Sequence, residues 1–371
     1  MSKITGQELA RPSVQAMPLK SYANAKTPEL LRQELGLEEL VIMNNNENPL
    51  GSSPLAIQAL RDSAAEINRY PDSRNTAICA KLAEKYHLSP ENVICANGAD
   101  YLIAALGRAF LNPGEKMVVT LPAYAYYETQ ALCMGAQVVK VPVNERYTFD
   151  LPAMLAAIDE QTKMVVIINP HNPTGVTVSQ SELDDFISRV PESCLVVVDE
   201  AYIDFADPAV FPDVTGYIRE DRNVLALRTF SKFMGMAGLR FGYILAPEHI
   251  IQVLRKVIEP YSVNRLTQAA CLAALNDEEF AAESRRAAAE AKSYLRRELL
   301  ALGCETPESQ GNFLFVGLGR DAQELYEQLL RRGFLVFPCT DWGYPQHIRL
   351  SFALPEQNRR FIATLKELLG R

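Results

Sequence analysis

Four segments of the sequence are nearly continuous runs of Val, Ile and Leu, and they constrain the fold more than any other feature. They are KMVVTLP at 116–122, KMVVIINP at 163–170, CLVVVDEAY at 194–202 and NVLALRTF at 223–230. Continuous apolar runs, as opposed to alternating ones, indicate strands buried on both faces of a sheet that is covered by helices. Helical patterns alternate with the strands, so the sequence predicts an α/β fold: a three-layer αβα domain with a mostly parallel sheet.

The same alternation extends to shorter segments on either side, and it changes after about residue 260. Further strands are predicted at 91–97, 137–143 and 241–247, and helices at 53–70, 99–111 and 124–134. Beyond residue 260, a long charged helix at 278–303 precedes strands at 312–318, 334–338 and 347–352 and a last helix at 356–369. These later segments predict a smaller α+β domain joined through the long helix.

The length of the chain also favours two domains. With 371 residues, it exceeds the size at which one hydrophobic core usually stops growing. One large and one small domain are therefore expected. We predict an N-terminal arm that forms part of the small domain at 1–45, a large domain at 46–260 and a small C-terminal domain at 261–371.

Composition and charge argue against several classes of protein. The net charge of −8 and a pI near 5.3 do not provide the basic face that a nucleic-acid partner requires. The opening MSKITGQELARPSVQAMPLK lacks the apolar core of a secretory signal, and no apolar run is long enough for a membrane span. Seven cysteines without a C-x-x-C pair and four dispersed histidines predict a cytoplasmic protein without a metal site.

Polar residues follow the predicted strands at the points where the strands end. In chain order they are Asn97–Asp100, Pro122–Tyr124, Asn169–Gly175, Asp199–Tyr202 and Ser231–Lys232. In open α/β sheets, ligands bind outside the carboxyl ends of the strands. These residues are therefore the candidates for a functional site.

Part of this set is suited to a phosphate group. A helix that begins after Gly98 offers backbone N–H groups to an anion. Ser231 and Arg240 add donors, and those of Arg240 are charged. The three positions together predict that a phosphate binds at this edge of the sheet.

The remaining residues are suited to a flat heteroaromatic ring. Tyr124 can stack on such a ring, Asp199 can pair with a protonated ring nitrogen, and Tyr202 and Asn172 can donate to a phenolate oxygen. Lys232 would then need a carbonyl with which to condense. Phosphate, pyridinium, phenolate and aldehyde together describe pyridoxal 5′-phosphate.

Each of these motifs taken alone has an ordinary structural interpretation. DEAY at 199–202 is also a common end of a strand, and NPHNPTG at 169–175 is also a Pro-rich turn. Lys232 by itself would most often be a surface lysine. Their joint occurrence at consecutive strand ends is much more specific.

The chain resembles a fold-type I, pyridoxal phosphate-dependent aminotransferase of class I/II. Within that class it is most similar to the histidinol-phosphate aminotransferase family, over nearly its whole length. The matching segments are NNNENPLGSSP (44–54), NRYPD (68–72), NPHNPTG (169–175), VVVDEAYIDFA (196–206), RTFSKFMGMAGLRFGY (228–243) and IRLSF (348–352). The resemblance implies the aspartate-aminotransferase-like fold.

The resemblance also implies a role for each matching residue. Lys232 would bind the aldehyde carbon of the cofactor and later carry the substrate proton. Asp199 would pair with the ring nitrogen, Asn172 and Tyr202 would hold the phenolate oxygen, Tyr124 would stack on the ring, and Ala99, Asp100, Ser231 and Arg240 would hold the phosphate.

Three further residues would contact the substrates or a second subunit. Arg349 would bind the substrate α-carboxylate, and Tyr22 falls where the family has a tyrosine that faces the substrate. Tyr70 would reach the cofactor phosphate of the neighbouring subunit, which implies a homodimer. The partners expected are an amino donor and a 2-oxo acid such as 2-oxoglutarate.

The sequence departs from the family pattern most clearly at Phe337. The family places there an Arg that helps to bind the substrate phosphate, and histidinol phosphate has no carboxylate to compensate. A charge-assisted hydrogen bond contributes about 1.5–3 kcal/mol, so its loss would lower affinity about tenfold to a hundredfold. Phe337, Trp342 and Tyr344 make this region more aromatic, unless Phe337 faces the core of the small domain and another cation replaces the Arg.

Three activities are therefore compatible with the sequence. The first is transamination of histidinol phosphate, and the second is transamination of aromatic or other amino acids with a broad specificity. The third is a pyridoxal phosphate-dependent decarboxylase or lyase on the same fold. A cofactor-sensing domain of a transcription regulator is not favoured, because the forty N-terminal residues are too short and too weakly basic for a DNA-binding module.

Overall fold

A seven-stranded sheet forms the centre of the larger domain in the computed structural model, which describes residues 4–17 and 26–370. The strands of the described chain are β1 (Val41–Ile42), β2 (Val93–Ala96), β3 (Lys116–Leu121), β4 (Gln137–Pro142), β5 (Thr162–Ile168), β6 (Leu195–Asp199), β7 (Val224–Thr229), β8 (Gly242–Leu245), β9 (Phe313–Gly317), β10 (Phe334–Leu335), β11 (Phe337–Pro338) and β12 (His347–Ser351). The central sheet has the order β2-β8-β7-β6-β5-β3-β4.

Helices cover the sheets and form the N-terminal segment. They are α1 (Gly6–Leu9), α2 (Pro12–Gln15), α3 (Pro28–Glu34), α4 (Pro54–Ser63), α5 (Thr76–Tyr86), α6 (Ala99–Phe110), α7 (Tyr126–Met134), α8 (Leu151–Ala156), α9 (Gln180–Arg189), α10 (Thr215–Arg219), α11 (Glu248–Leu254), α12 (Arg265–Ala274), α13 (Glu278–Ala301), α14 (Ala322–Arg331) and α15 (Pro355–Leu369). No helix among residues 4–17 and 26–370 is long and apolar enough to cross a membrane.

The direction of the strands brings the predicted site residues to one edge of the central sheet. β8 runs antiparallel to its neighbours β2 and β7, and the other pairs are parallel. The carboxyl ends of six strands therefore meet at the edge where β8 begins. The predicted α/β fold with a mostly parallel sheet is confirmed.

Burial on both faces of the sheet explains the continuous apolar runs. In β6, Val196 and Val198 point into a core that is shared with α4, α5, α9 and α12, whereas Leu195 and Val197 point into a second core that is shared with α6, α7 and α11. Alternate residues of one strand face opposite sides of a sheet. A strand between two helical layers therefore needs apolar residues at every position, which produces the predicted three-layer arrangement.

The smaller domain contains a three-stranded antiparallel sheet, β11-β12-β9, and a third core formed with α13, α14 and α15. The prediction of one strand at 334–338 is wrong in one respect. Phe334–Leu335 pairs in parallel with Val41–Ile42, whereas Phe337–Pro338 pairs antiparallel with β12. The chain passes from one sheet to the other at Val336. A short apolar run such as FLVFP does not indicate which strand each of its residues pairs with.

The domain limits stay a prediction. The residues that form each hydrophobic core indicate which domain a segment packs against. Val41 and Met43 lie in the third core, as expected if the N-terminal segment forms part of the small domain. Val263 and Ala270 lie in the first core of the large domain. Helix α12 therefore packs on the large domain, although it follows the predicted limit at residue 261.

A buried ion pair lies in the large domain, where Glu200 directly follows Asp199 in the sequence. The Nε of Arg228 in β7 donates to Oε2 of Glu200 over 2.7 Å, and both side chains are almost completely buried. The guanidinium of Arg228 also lies 4.3 Å from the centre of the Tyr86 ring. Because neither charge can reach bulk water, each depends on the other.

We expect Glu200→Gln to lower the free energy of unfolding by about 3–5 kcal/mol, because it leaves the charge of Arg228 buried and unpaired. The matched control is Asp185→Asn, which removes an exposed partner of Arg189 and should cost less than about 1 kcal/mol. Urea unfolding of the protein without added cofactor, followed by circular dichroism, measures both. Equal effects of the two substitutions would contradict the prediction.

Candidate active site

The amino end of α6 forms a cradle at the carboxyl edge of the sheet, at the point where the sequence predicts a phosphate site. Gly98 is its N-cap residue, with φ of +89°, and no side chain of the described residues caps the helix. A Cβ on Gly98 would lie 2.8 Å from Nη2 of Arg240. Glycine is therefore required at residue 98, both by the positive φ and by the close approach of the guanidinium.

Arg240 and Ser231 reach this cradle from the loop that joins β7 to β8. Nη1 of Arg240 lies 3.4 Å from Oγ of Ser231, and Nη2 lies 3.2 Å from Oδ2 of Asp100. The hydroxyl of Tyr124 donates to the other oxygen of Asp100 over 2.9 Å. The structure thus brings together four of the residues that were predicted to hold a phosphate and its ring, at the point where Ala99 begins the helix.

Lys232 lies on the same loop, and its amine is partly withdrawn from water. Its Nζ donates to the main-chain oxygen of Asn45 over 2.8 Å. Burial, assisted by the positive charge of Arg349, lowers the pKa of Lys232 to about 8. An amine with this pKa exists in both protonation states near neutral pH, as a nucleophile and proton carrier requires.

Asp199 ends β6 and is buried, with 5% of its surface exposed. Oδ2 accepts a hydrogen bond from the hydroxyl of Tyr127 over 2.9 Å, and Oδ1 accepts one from the N–H of Ala201 over 3.1 Å. Burial raises the pKa of Asp199 to about 6. The carboxylate is still mostly ionised at neutral pH and can accept a hydrogen bond from the N–H of a bound ring.

Tyr202 and Asn172 lie at the ends of neighbouring strands and are both buried. The Tyr202 hydroxyl accepts a hydrogen bond from Nδ2 of Asn46 over 2.9 Å. The Asn172 Oδ1 accepts one from Nη1 of Arg349 over 2.8 Å. Asn172 therefore connects the large domain to the predicted substrate-binding arginine of the small domain.

Aromatic rings surround the Arg349 guanidinium. Its carbon lies 4.8 Å from the centre of the Phe337 ring and 5.6 Å from that of Trp342, and these two rings stack at 4.7 Å. The Nε of Arg349 is buried and has no hydrogen-bond partner among the described residues. Phe337 therefore faces Arg349, with which it is paired in register, and it makes this wall of the site apolar.

Two sets of contacts in the site could not be predicted from the sequence. The main-chain oxygens of Asn44 and Asn45 accept hydrogen bonds from Arg349 and Lys232, and Asn46 contacts Tyr202. The three asparagines belong to the segment NNNENPLGSSP that resembles the family, but the resemblance implies no role for them. Tyr127 had no signal beyond its position three residues after Tyr124.

Some predicted residues are not part of this cluster. Tyr70 is 79% exposed, and the described contact of its ring is a stack on Tyr261 at 4.7 Å. Tyr22 lies outside the described residues. His171 is fully buried between Thr174 and the main-chain oxygen of Pro122, and burial lowers its pKa to about 4. His171 is therefore a neutral structural residue at neutral pH.

The arrangement fits the cofactor that the sequence predicted. At Gly98 the guanidinium of Arg240 comes so close that a Cβ would fill the space beside the first turn of α6, which is the property of a site that admits a phosphate closely. The buried Asp199 carboxylate and the unpartnered Nε of Arg349 are polar groups that a bound ring and a bound anion would satisfy. No group of His, Cys, Asp and Glu in residues 4–17 and 26–370 is arranged to hold a metal ion.

Comparison with known proteins relates the whole chain to one family. Residues 38–365 match the family model for aminotransferases of class I and II. The chain is 41% identical to histidinol-phosphate aminotransferase of Moorella thermoacetica over 355 residues, which cover 95% of this chain and 92% of that protein. It is 40% identical to histidinol-phosphate aminotransferase 2 of Pseudomonas fluorescens over 365 residues, 98% of each chain.

The fold is similar to that of a solved enzyme. The crystal structure of histidinol-phosphate aminotransferase from Sinorhizobium meliloti in complex with pyridoxal-5′-phosphate has a TM-score of 0.89 and 27% sequence identity, and the match covers 100% of this chain and 98% of that one. The family model matches most of the residues, and the relatives are similar over nearly their full length. The family predicted from the sequence is confirmed, and this chain belongs to the aminotransferases of class I and II.

Proposed function

We propose that this protein is a pyridoxal phosphate-dependent aminotransferase that transfers the amino group of histidinol phosphate to a 2-oxo acid such as 2-oxoglutarate. The observation that carries the proposal is the grouping of Lys232, Asp199 and Arg349 at one edge of the sheet, with the first two carrying pKa values shifted toward neutrality. The relatives named histidinol-phosphate aminotransferase support this donor over the alternatives.

The described residues provide a contact for each part of the cofactor. The phosphate would be held by the first turn of α6 at Ala99 and Asp100, with Ser231 and Arg240; the ring by Tyr124, Asp199, Asn172 and Tyr202; and the aldehyde carbon by Lys232. When bound, pyridoxal phosphate supplies an aldehyde that binds amines covalently and a ring that takes up the electron pair left when a proton leaves the substrate.

Lys232 is the group in this site that can move the substrate proton. Its pKa of about 8 means that a useful fraction of the amine is neutral near pH 7 and that this fraction grows as the pH rises. A neutral amine can attack a carbonyl and can accept a proton. Its present acceptor, the main-chain oxygen of Asn45, does not lock it in the charged form as a carboxylate would.

Asp199 and Arg349 supply fixed charges of opposite sign. Asp199 is ionised above its pKa of about 6 and can keep a ring nitrogen protonated, which favours the uptake of electrons by the ring. Arg349 is buried, lies against Asn172 and retains an unpartnered Nε. A guanidinium so placed can bind a carboxylate or phosphate through two parallel hydrogen bonds.

We further propose that two copies assemble in the cytoplasm and share their active sites. Support for the dimer comes from an exposed aromatic pair, Tyr70 and Tyr261, and from Ile67, which is also exposed and comes three residues before Tyr70 in the sequence. A stack of large apolar side chains on the surface is typical of a protein interface. The scattered cysteines support a reducing compartment.

The proposed donor is tested with the cofactor-loaded protein and 2-oxoglutarate, with glutamate formation as the measurement. Histidinol phosphate, phenylalanine, tyrosine and leucine are added separately, and we expect histidinol phosphate to react fastest. Lys232→Ala should lower that rate about 10²–10⁴-fold, because it removes the proton carrier. Lys292→Ala is the control, because burial also lowers the pKa of Lys292, yet Lys292 lies on α13 and bonds to Ser309.

Other outcomes of this assay identify the alternatives. A faster reaction of phenylalanine or tyrosine would show that the aromatic wall of Phe337 and Trp342 selects an aromatic amino acid in place of histidinol phosphate. Release of CO₂ from an amino acid without glutamate formation would indicate a decarboxylase. An unchanged rate in Lys232→Ala would contradict the proposed chemistry as a whole.

We expect Arg349→Gln to lower kcat/KM for 2-oxoglutarate about tenfold to a hundredfold, because one charge-assisted hydrogen bond contributes about 1.5–3 kcal/mol. Arg349→Lys should recover only part of this loss, since an ammonium keeps the charge but not the planar fork. Steady-state kinetics with varied 2-oxoglutarate measures both variants. Arg360→Gln, which breaks an exposed pair with Glu39, serves as the control, and an unchanged kcat/KM in Arg349→Gln would refute the assignment.

A subunit-mixing experiment tests the proposed position of Tyr70. Lys232→Ala and Tyr70→Ala are unfolded together in equal amounts and refolded. If Tyr70 acts in the neighbouring site and each separate variant is nearly inactive, the mixture should recover about a quarter of wild-type activity, because half of the dimers are hybrids with one intact site. Activity equal to the mean of the two separate variants would show that Tyr70 does not act across the interface.

A further inference from the structure

Tyr127 makes a contact with the site that none of the proposed roles uses. It lies in the first turn of α7, and only 2% of its surface is exposed. Its ring packs in the second core of the large domain, and its hydroxyl donates to Oδ2 of Asp199 over 2.9 Å. A buried phenol whose one polar atom points at the buried carboxylate is more than packing, since phenylalanine would fill the core equally well.

The two hydrogen bonds to Asp199 fix its carboxylate from both sides. Oδ2 accepts from Tyr127 and Oδ1 accepts from the N–H of Ala201. With one donor on each oxygen, rotation of the group is restricted, and each oxygen keeps a second lone pair for a further donor. Both donors require an acceptor, so they favour the ionised carboxylate over the protonated acid.

Burial, hydrogen bonds and nearby charges act together on the pKa of Asp199. Asp100 raises the pKa of Asp199 and Lys232 lowers it, but burial is the largest influence and acts upward. The hydrogen bond from Tyr127 is the largest influence in the opposite direction. Burial and the nearby carboxylate hold the pKa of Tyr127 well above its ordinary value, so Tyr127 keeps its proton and remains a donor. Burial also raises the pKa of Tyr202.

We infer that Tyr127 is a positioning residue that keeps Asp199 ionised and oriented for the ring nitrogen of the cofactor. The inference rests on the proposed function, because it assigns Asp199 to that nitrogen. Tyr127 itself would touch neither the cofactor nor the substrate. Without its hydroxyl, Asp199 would be protonated at a higher pH and would lose its ability to accept the ring N–H.

Cofactor affinity as a function of pH tests this inference without relying on activity. The dissociation constant of pyridoxal phosphate from the apoprotein is measured by equilibrium dialysis between pH 5 and pH 9. Because protonation of Asp199 removes an acceptor, affinity should fall as the pH decreases through its pKa. In Tyr127→Phe, we expect the midpoint of this fall to move upward by roughly one to two pH units, the shift that corresponds to one hydrogen bond to a charged group.

Two controls separate this effect from general damage. Tyr217→Phe removes the hydroxyl of another largely buried tyrosine, which donates to Asp184 in the middle of α9 and not to Asp199, and its midpoint should equal that of the wild type. Ionisation of the phosphate of the cofactor is common to all the proteins and cancels in the comparison. Difluorotyrosine at residue 127, a stronger donor of the same shape, should move the midpoint downward and does not depend on the folding of Tyr127→Phe.

The result that overturns the inference is a midpoint in Tyr127→Phe that equals that of the wild type, or a midpoint that difluorotyrosine leaves unchanged. Either would leave the proposed function intact if the wild type still forms glutamate in a reaction that depends on Lys232. A wild type that binds pyridoxal phosphate no better than Lys232→Ala and forms no glutamate would instead overturn the proposed function. A supporting result is an upward shift of the midpoint in Tyr127→Phe together with a decrease in kcat that is larger than the change in KM.

Discussion

The burial of ionisable groups at the carboxyl edge of the central sheet is the constraint on which the site depends. Burial disfavours the charged forms of both Asp199 and Lys232. It therefore raises the pKa of the acid and lowers the pKa of the base. Burial raises the pKa of Asp199 to about 6 and lowers the pKa of Lys232 to about 8. The fold therefore moves both groups toward neutral pH, where an acid that stays ionised and an amine that can lose its proton coexist.

The segment of three asparagines before α4 connects this edge to the small domain. Asn44 and Asn45 offer main-chain oxygens to Arg349 and Lys232, and Asn46 bonds to both Tyr202 and Ser351. Main-chain oxygens satisfy these cations without neutralising them, so the bonds can be exchanged for those of a substrate or cofactor at modest cost. The same segment thus holds the two domains together and keeps the reactive cations available.

The sequence predicted the features that depend on local pattern and missed those that depend on tertiary contacts. Continuous apolar runs identified β3, β5, β6 and β7, because burial on both faces requires them. The reversal of β8 and the change of sheet at Val336 depend on strand partners, which short apolar runs do not specify. The bond of Tyr127 to Asp199 spans 72 residues, and nothing near Tyr127 in the sequence indicates it.

Phe337 shows how a lost charge can be compensated in part by its surroundings. It is paired in register with Arg349, so an arginine there would place two cations side by side. With Phe337 and Trp342 stacked against it, Arg349 is instead enclosed by aromatic faces that exclude water and tolerate a cation. Electrostatic attraction grows as the local dielectric constant falls. A single arginine enclosed in this way can therefore bind an anion more strongly than an exposed one.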